Sequence, residues 1–506
     1  MRRTPAHPSP SRRSAPAAGR LGALAVTALL AAVGALASSG GCTRGTPDTA
    51  GADAGDCLGA EFVGSPLSIR CGALVDDDGR QVWLHGVNAR VEGLFDVTFD
   101  DGRVPLEPIP DFTEADATNI RSLGLNALRL PINWSGLEPT ETGGFSAPYL
   151  ERIAQIVGFA RDAGLFVLLD LHQDAYSKEI GEDGAPYWAI SPPPPERLQG
   201  PLDDLEARRL SKPVKDAFET FFGPSAEGAR LRARFAKAAA RVASRFASDT
   251  AVGGLELFNE PLGTDEQLTA FHTEVLAEVR AAAPKKLVFF EPSALRNLTD
   301  RASIPARPLG PGTVYAPHVY TLAFTGTPSS IAAMTKETLR PSNENARAEA
   351  DGWQTPLVIG EFGFSPASPA FADYIAWQSE LQDEVRASSF LWVWKETSQG
   401  AWGVYDRVGT KWEERPAVVS ALTRLRLERV AGRLGRVGYD REKRRLAFTF
   451  EGGAAGGRNV ISAGRLAGTV DAKCDGRSVA AEGKGPLEIP CGGPGSHEVL
   501  VTVIPR

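Results

Sequence analysis

Eight short apolar runs, most of them separated by stretches of helical periodicity, constrain this chain more than any other feature. They occupy residues 82–88, 126–132, 166–172, 254–260, 286–291, 313–320, 356–363 and 388–395. Near-continuous apolar strands that alternate with helices imply a parallel sheet covered by helices. Eight repeats favour closure into a (β/α)8 TIM barrel over an open sheet, and no Gly-x-Gly-x-x-Gly follows the first run to signal an open dinucleotide-binding sheet. Barrels gather their working side chains at strand C-termini. Here the runs end in or near Asn88, Arg129, His172, Glu260, Glu291, His318, Glu361 and Trp392.

Of the three glutamates among them, two stand in Leu255–Pro261 and Pro356–Gly363. They lie 101 residues apart, three βα units of roughly 34 each, which puts them on strands 4 and 7. Such strands face one another across the barrel mouth. Cleaving an acetal requires one carboxyl to protonate the leaving oxygen and another to attack or stabilise the anomeric carbon, both held rigidly. An unpaired carboxylate at the end of an apolar strand is costly, so Glu260 and Glu361 need a partner or a function. Taken singly, the other candidates read as structural: Arg129 as an ion pair, His172 or His318 as a core histidine, Asp174 as a loop cap. No His-Glu-x-x-His or paired-cysteine spacing points to metal catalysis, and no cofactor is expected.

The first forty residues are of another kind. Five arginines precede the apolar run 21–37, which reads as an export signal and not a span, because glycines interrupt it and it is short of about 20 residues. Of the five cysteines, Cys57 with Cys71 and Cys474 with Cys491 can form local disulfides in an oxidising compartment, which leaves Cys42 just after the signal. Ser39-Gly40-Gly41-Cys42 resembles a bacterial lipoprotein signal and would anchor the protein to the membrane through a lipid on Cys42. Ala35-Leu36-Ala37 offers ordinary signal peptidase a rival site and would give a secreted protein. Removing residues 1–41 takes the net charge from −7 to −12, which excludes a nucleic-acid footprint and favours a neutral substrate.

The expected organisation is a signal over 1–41, a flexible tether over 42–56, a catalytic barrel over 57–424 and a small β-sandwich over 425–506, where period-two runs alternate with Gly-rich turns. Two long loops interrupt the barrel, 90–111 and 177–228. Loops of this length are uncommon unless functional or disordered. The aromatic content of the second (Tyr187, Trp188, Phe218, Phe221, Phe222) fits either a greasy groove or a satellite core.

Asn259-Glu260-Pro261, Gly360-Glu361-Phe362-Gly363, Arg129, His172, Pro317-His318-Val319-Tyr320 and Trp392-Val393-Trp394-Lys395, in this order along residues 80–420, together resemble family 5 glycoside hydrolases. Within that family the run 170–177, followed by 184–189, looks like the endoglycoceramidases, whose appended β-sandwich also matches. The resemblance implies a retaining double displacement with Glu260 as general acid/base and Glu361 as nucleophile. It further implies Asn259 on the sugar 2-hydroxyl, Arg129 keeping Glu361 ionised, His318 and Tyr320 orienting the carboxylates, and Trp392 or Trp394 under a sugar ring. His172 and Asp174 would bind hydroxyls on the non-reducing side. Endoglycoceramidases generally place a lysine shortly after strand 1, where this chain reads Asn88-Ala89-Arg90. The expected substrate is therefore a β-linked glycan on an amphiphilic aglycone such as ceramide. A β-glucanase or steryl β-glucosidase is the alternative within the family, and a non-catalytic glycan-binding protein the alternative outside it.

Overall fold

The computed structural model describes residues 61–303, 309–397, 402–453, 457–483 and 485–506. The export signal, the tether, Cys42 and Cys57 lie outside the described residues. The eight apolar runs form eight barrel strands: β1 (His85–Asn88), β2 (Ala127–Ile132), β3 (Phe166–Leu171), β4 (Val252–Glu256), β5 (Leu287–Phe290), β6 (Thr313–Tyr315 with His318–Val319), β7 (Val358–Phe362) and β8 (Ser388–Leu391). Every adjacent pair is parallel, and β8 pairs back onto β1, so the sheet closes.

Closure follows from how the interior is filled. Leu84, Leu168, Phe289, Val314, Val358 and Phe390 share one buried cluster inside the barrel, and glycines make room for its two phenylalanines. A Cβ on Gly86 would meet the Phe390 ring at 2.3 Å, and one on Gly254 would meet Phe289 at 2.5 Å. Both distances are far inside van der Waals contact, so these strands can carry a phenylalanine only opposite a glycine. Outside the sheet, helices such as Ala147–Asp162 and Ala226–Arg245 cover it with one apolar stripe each and are capped by Ser146 and Ser225.

The long insertion after β3 settles as packed structure. Phe221 and Phe222 of the helix Lys212–Phe222 interlock with Phe235, Phe258 and Phe271 at ring separations of 5.4 to 6.0 Å, and Phe218 stacks on Phe222. The aromatic residues of this loop thus join the main core and line no groove, apart from Tyr187, which is exposed against Arg197.

Beyond the barrel, two antiparallel sheets enclose Leu427, Leu434, Phe448, Phe450, Ile461 and Val501. One sheet recruits strands from the start of the chain: Gln81–Val82 pairs with Arg426–Val430, and Ser68–Arg70 and Ala73–Val75 continue it outward. Residues 68–82 therefore complete the C-terminal sandwich. Cys474 and Cys491 join the two sheets as a disulfide; Cys71 is also disulfide-bonded, its partner lying outside the described residues.

Candidate active site

Arg129 organises the barrel mouth. It points inward from β2, fully buried, and its guanidinium donates to four side chains. It binds Glu256 in a fork at 2.9 and 2.8 Å, and donates to Asn88 at 2.9 Å, Asn259 at 2.9 Å and Glu361 at 2.6 Å. A planar donor fork can hold several acceptors in fixed directions, which a lysine could not do. Glu361, at the end of β7, receives a second bond from the Tyr320 hydroxyl at 2.7 Å.

Glu260 stands on the other side of the mouth. The β4 ladder ends at Glu256, four residues earlier, and the backbone reaches Glu260 with φ at +43°. A left-handed glutamate stores on the order of 1–3 kcal/mol and persists only where its surroundings fix it. Gln173 supplies that support by donating to the carbonyls of Asn259 and Glu260 at 2.7 and 3.1 Å. The Glu260 carboxyl meets Asn297 at 2.6 Å, His318 Nδ1 at 2.9 Å and Arg209 at 3.8 Å. Oxygens of Glu260 and Glu361 and a nitrogen of His318 lie within 4.8 Å of one another.

The other expected residues surround this pair. His172 is clamped by Asp170 at 2.5 Å and by Asp174 at 3.3 Å, and it stacks on Trp392 with an interplanar angle of 11°. Trp392 keeps an exposed edge on the pocket that holds Glu260 and Glu361. Trp394, the other candidate for the sugar platform, is buried beneath Tyr405 and donates to Asp116 at 2.9 Å, so it has no face to offer.

Burial would raise both carboxyls. On Glu260, His318 and Arg209 outweigh burial and hold the group below the ordinary carboxylate range. On Glu361, burial outweighs the pull of His318 and Arg129 and carries the group up. The environments thus push the two apart, but against the order expected for a resting acid/base and nucleophile. Arg129 favours the Glu361 carboxylate as expected and is overcome by desolvation. Burial would likewise lower His172, but Asp170 and Asp174 hold it well above its ordinary value.

Several site residues escaped sequence reasoning. Glu256 lies in the same apolar stretch as Glu260, four residues earlier, a signal that was available. Arg209 and Asn297 come from an insertion helix and a four-residue helix, Leu205–Arg209 and Arg296–Thr299, with no local pattern to mark them. Arg90 stands where a lysine was expected and is locked by Glu107 at 2.5 Å and Glu396 at 3.0 Å.

A parallel barrel with two juxtaposed carboxylates at its C-terminal face defines the architecture of the glycoside hydrolases that work through paired acids. The chain belongs to one family of them: the sequence profile of Cellulase (glycosyl hydrolase family 5) matches residues 108–398. It is 29% identical over 315 residues to Endoglycoceramidase I of Rhodococcus hoagii, covering 57% of this chain and 61% of that protein. It is 28% identical over 218 residues to an endoglycoceramidase of Cyanea nozakii, covering 38% and 41%. The matched regions thus span about three fifths or less of these relatives. Among solved structures, endo-glycoceramidase II from Rhodococcus sp. in a ganglioside GM3 complex superposes with a TM-score of 0.71 at 26% identity, covering 85% of this chain and 99% of that one. Sterylglucosidase 1 of Cryptococcus neoformans shares the fold, with a TM-score of 0.68 at 12% identity over 87% and 97% of the two chains.

Proposed function

We propose that this protein is a retaining β-glycosidase that separates a glycan from a lipid aglycone, in the manner of an endoglycoceramidase. The observation that carries the reading is the separation of the two carboxyls. Retaining enzymes hold them about 5–5.5 Å apart, and inverting enzymes leave about 6.5–9.5 Å for a water, so oxygens within 4.8 Å support retention. Glu361 attacks the anomeric carbon while Glu260 gives its proton to the leaving oxygen. The glycosyl ester is then hydrolysed by a water that Glu260 deprotonates. Asn259, held by Arg129 and by the Gln173 carbonyl, binds the 2-hydroxyl, where contacts tighten as the transition state gains positive charge. His172 and Asp174 bind further hydroxyls, and Trp392 stacks on the ring.

A lipid aglycone is supported by what stands beside Glu260. Leu295 and Leu298 flank its partner Asn297 and are exposed, as is Phe324 on the pocket rim. Exposed apolar side chains next to a partner of Glu260 and on the pocket rim suit a greasy leaving group. The relatives named for ceramide substrates point the same way. A steryl β-glucosidase is the second reading, favoured by Arg90, which stands where endoglycoceramidases generally carry a lysine and is held by Glu107 and Glu396. The protein would act after export, with Cys42 as a lipidated anchor.

Product analysis decides between these. The protein is incubated with a lactosylceramide, a cellooligosaccharide and a steryl glucoside. Release of intact lactose supports the reading; cleavage of only the cellooligosaccharide or the steryl glucoside overturns the ceramide assignment.

A further inference from the structure

The long loops after β1 and β3 have no part in the chemistry above, yet they are ordered against each other. The Gly200 N–H donates to the Val104 carbonyl at 2.7 Å and that of Leu202 to the Leu106 carbonyl at 2.6 Å. Arg103 ties the same two loops, reaching Glu179 at 2.8 Å and the Leu198 carbonyl at 2.6 Å. Loops of this length are uncommon without a function. Together with Ser135 and Gly136 after β2 and the hairpin Tyr405–Glu414 after β8, they enclose a cavity of about 1100 Å³. An ordinary small-molecule site occupies roughly 300–1,000 Å³.

The cavity adjoins the catalytic pocket. Glu107 on its wall is paired at 2.5 Å with Arg90, which lines the pocket of Glu260 and Glu361. Phe95, also on its wall, packs at 5.6 Å on His172, the ring that stacks on Trp392. One layer of side chains divides the two spaces. The exposed Leu295, Leu298 and Phe324 follow β5 and β6, whereas the cavity lies over the ends of β1, β2, β3 and β8. In a closed barrel of eight strands these are opposite sides of the mouth. A substrate whose leaving group rests on the first side extends its sugars toward the second.

We propose that this cavity holds the distal sugars of the glycan, and that the glycan is a neutral oligosaccharide. Sugars bind where fixed polar groups meet their hydroxyls and an aromatic ring meets their C–H face. The polar floor is preorganised: Asp96 accepts from Ser135 at 2.6 Å and from Lys178 at 2.7 Å, and its N–H donates to Asn133 at 2.5 Å. Tyr187 supplies the ring, 44% exposed on the cavity and backed by Arg197 at 4.5 Å. Charge then selects the glycan. Among the described residues that line the cavity, seven carry carboxylates and four are cationic. Three of the four cations are already engaged: Lys178 with Asp96, Arg103 with Asp101 and Glu179, and Arg197 with Glu179. Arg407, exposed on the hairpin, is left without a carboxylate partner among the described residues. The surplus of negative charge repels an anionic sugar, while carboxylate oxygens accept the hydroxyl protons of a neutral one.

The inference rests on the reading of the catalytic pocket as a glycosidase site, and the test separates the two. The wild type, Tyr187→Ala and Tyr187→Phe are assayed on the 4-nitrophenyl β-glycosides of lactose and of the neutral tetrasaccharide lacto-N-tetraose, and binding of the free tetrasaccharide is measured by calorimetry. Absence of wild-type turnover on both glycosides would be a failure of the glycosidase reading, and calorimetry then decides on the cavity by itself. The wild type is expected to show kcat/KM about tenfold higher on the tetrasaccharide glycoside than on the lactoside. Tyr187→Ala is expected to lose about tenfold on the longer glycoside, through KM, and at most about 2-fold on the lactoside, with tetrasaccharide binding weakened in step. Tyr187→Phe, which keeps the ring, should stay within about 3-fold of the wild type, and a sialylated form of the tetrasaccharide should bind the wild type about tenfold more weakly than the neutral one. Equal losses of Tyr187→Ala on the two glycosides, no gain with glycan length, no binding of the tetrasaccharide, or equal affinity for its sialylated form would overturn the proposal. The last three are read on the wild type and need no variant to fold.

Discussion

Arg209 makes the assignment of the two glutamates testable through pH alone. Its guanidinium lies 3.8 Å from Glu260 and also binds Asp174. At that separation, two unit charges interact by about 1–4 kcal/mol for an effective dielectric between 80 and 20. About a quarter of the Arg209 side chain is exposed, so the weaker end applies, on the order of one pH unit. Arg209→Gln removes a cation that favours the Glu260 carboxylate, so Glu260 keeps its proton to higher pH. If Glu260 is the general acid, the alkaline limb of kcat/KM moves up by on the order of one unit, and activity near neutrality rises relative to the maximum. If Glu260 is the nucleophile, the acidic limb moves up instead and activity is lost in acid. A full profile between pH 3 and 9 on a dinitrophenyl and an alkyl glycoside separates these. An unmoved alkaline limb on the alkyl substrate, in a variant that folds, would refute the argument.

Other expectations are equally direct. Glu260→Gln should lower turnover on alkyl glycosides by about 10²–10⁴-fold, with a much smaller loss in the first step on a dinitrophenyl glycoside; equal losses on the two would remove Glu260 from the proton-transfer role. Replacing Cys474 and Cys491 with serine opens a loop of 17 residues and should cost about 3 kcal/mol in denaturant unfolding of the sandwich, leaving kcat unchanged. His272 is buried with no hydrogen-bond partner for either ring nitrogen among the described residues, and burial pushes it down from 6.5 to about 3. The unfolded chain therefore binds the extra proton first as pH falls below 6.5. Stability attributable to this residue is intact above that value and lost toward pH 3, by about 2 kcal/mol at pH 5. His272→Phe should flatten the acid limb of the stability profile by that amount, and identical slopes in the two proteins would show that His272 does not titrate on unfolding.

The barrel was legible because each of its strands is a local apolar run, readable without knowing its neighbours. The run ending in Glu361 and that containing Arg129 gave both the strand and the side chain at its mouth, since a parallel barrel exposes only those ends. The run 254–260 was less faithful. Its first half is ladder, but Glu260 lies beyond it on a left-handed backbone held by Gln173 from another loop. Strands 68–82 gave no sign that they finish a sheet begun more than 340 residues later, because edge pairing leaves little mark on a sequence. The same holds for Arg209 and Asn297, ordinary surface residue types until the fold carries them to Glu260. Glu291 could be placed at the mouth, yet its neighbours Arg129, Glu256 and His318 come from β2, β4 and β6, which only the closed barrel brings together.

The central claim is that Glu361 forms a covalent bond to sugar. The direct measurement is incubation with a 2-deoxy-2-fluoro-β-glycoside bearing a dinitrophenyl leaving group, followed by proteolysis and mass spectrometry of the labelled peptide. The account predicts a stoichiometric adduct on Glu361 and loss of activity in step with labelling. An adduct on Glu260, or steady turnover with inversion at the anomeric carbon and no adduct, would contradict it.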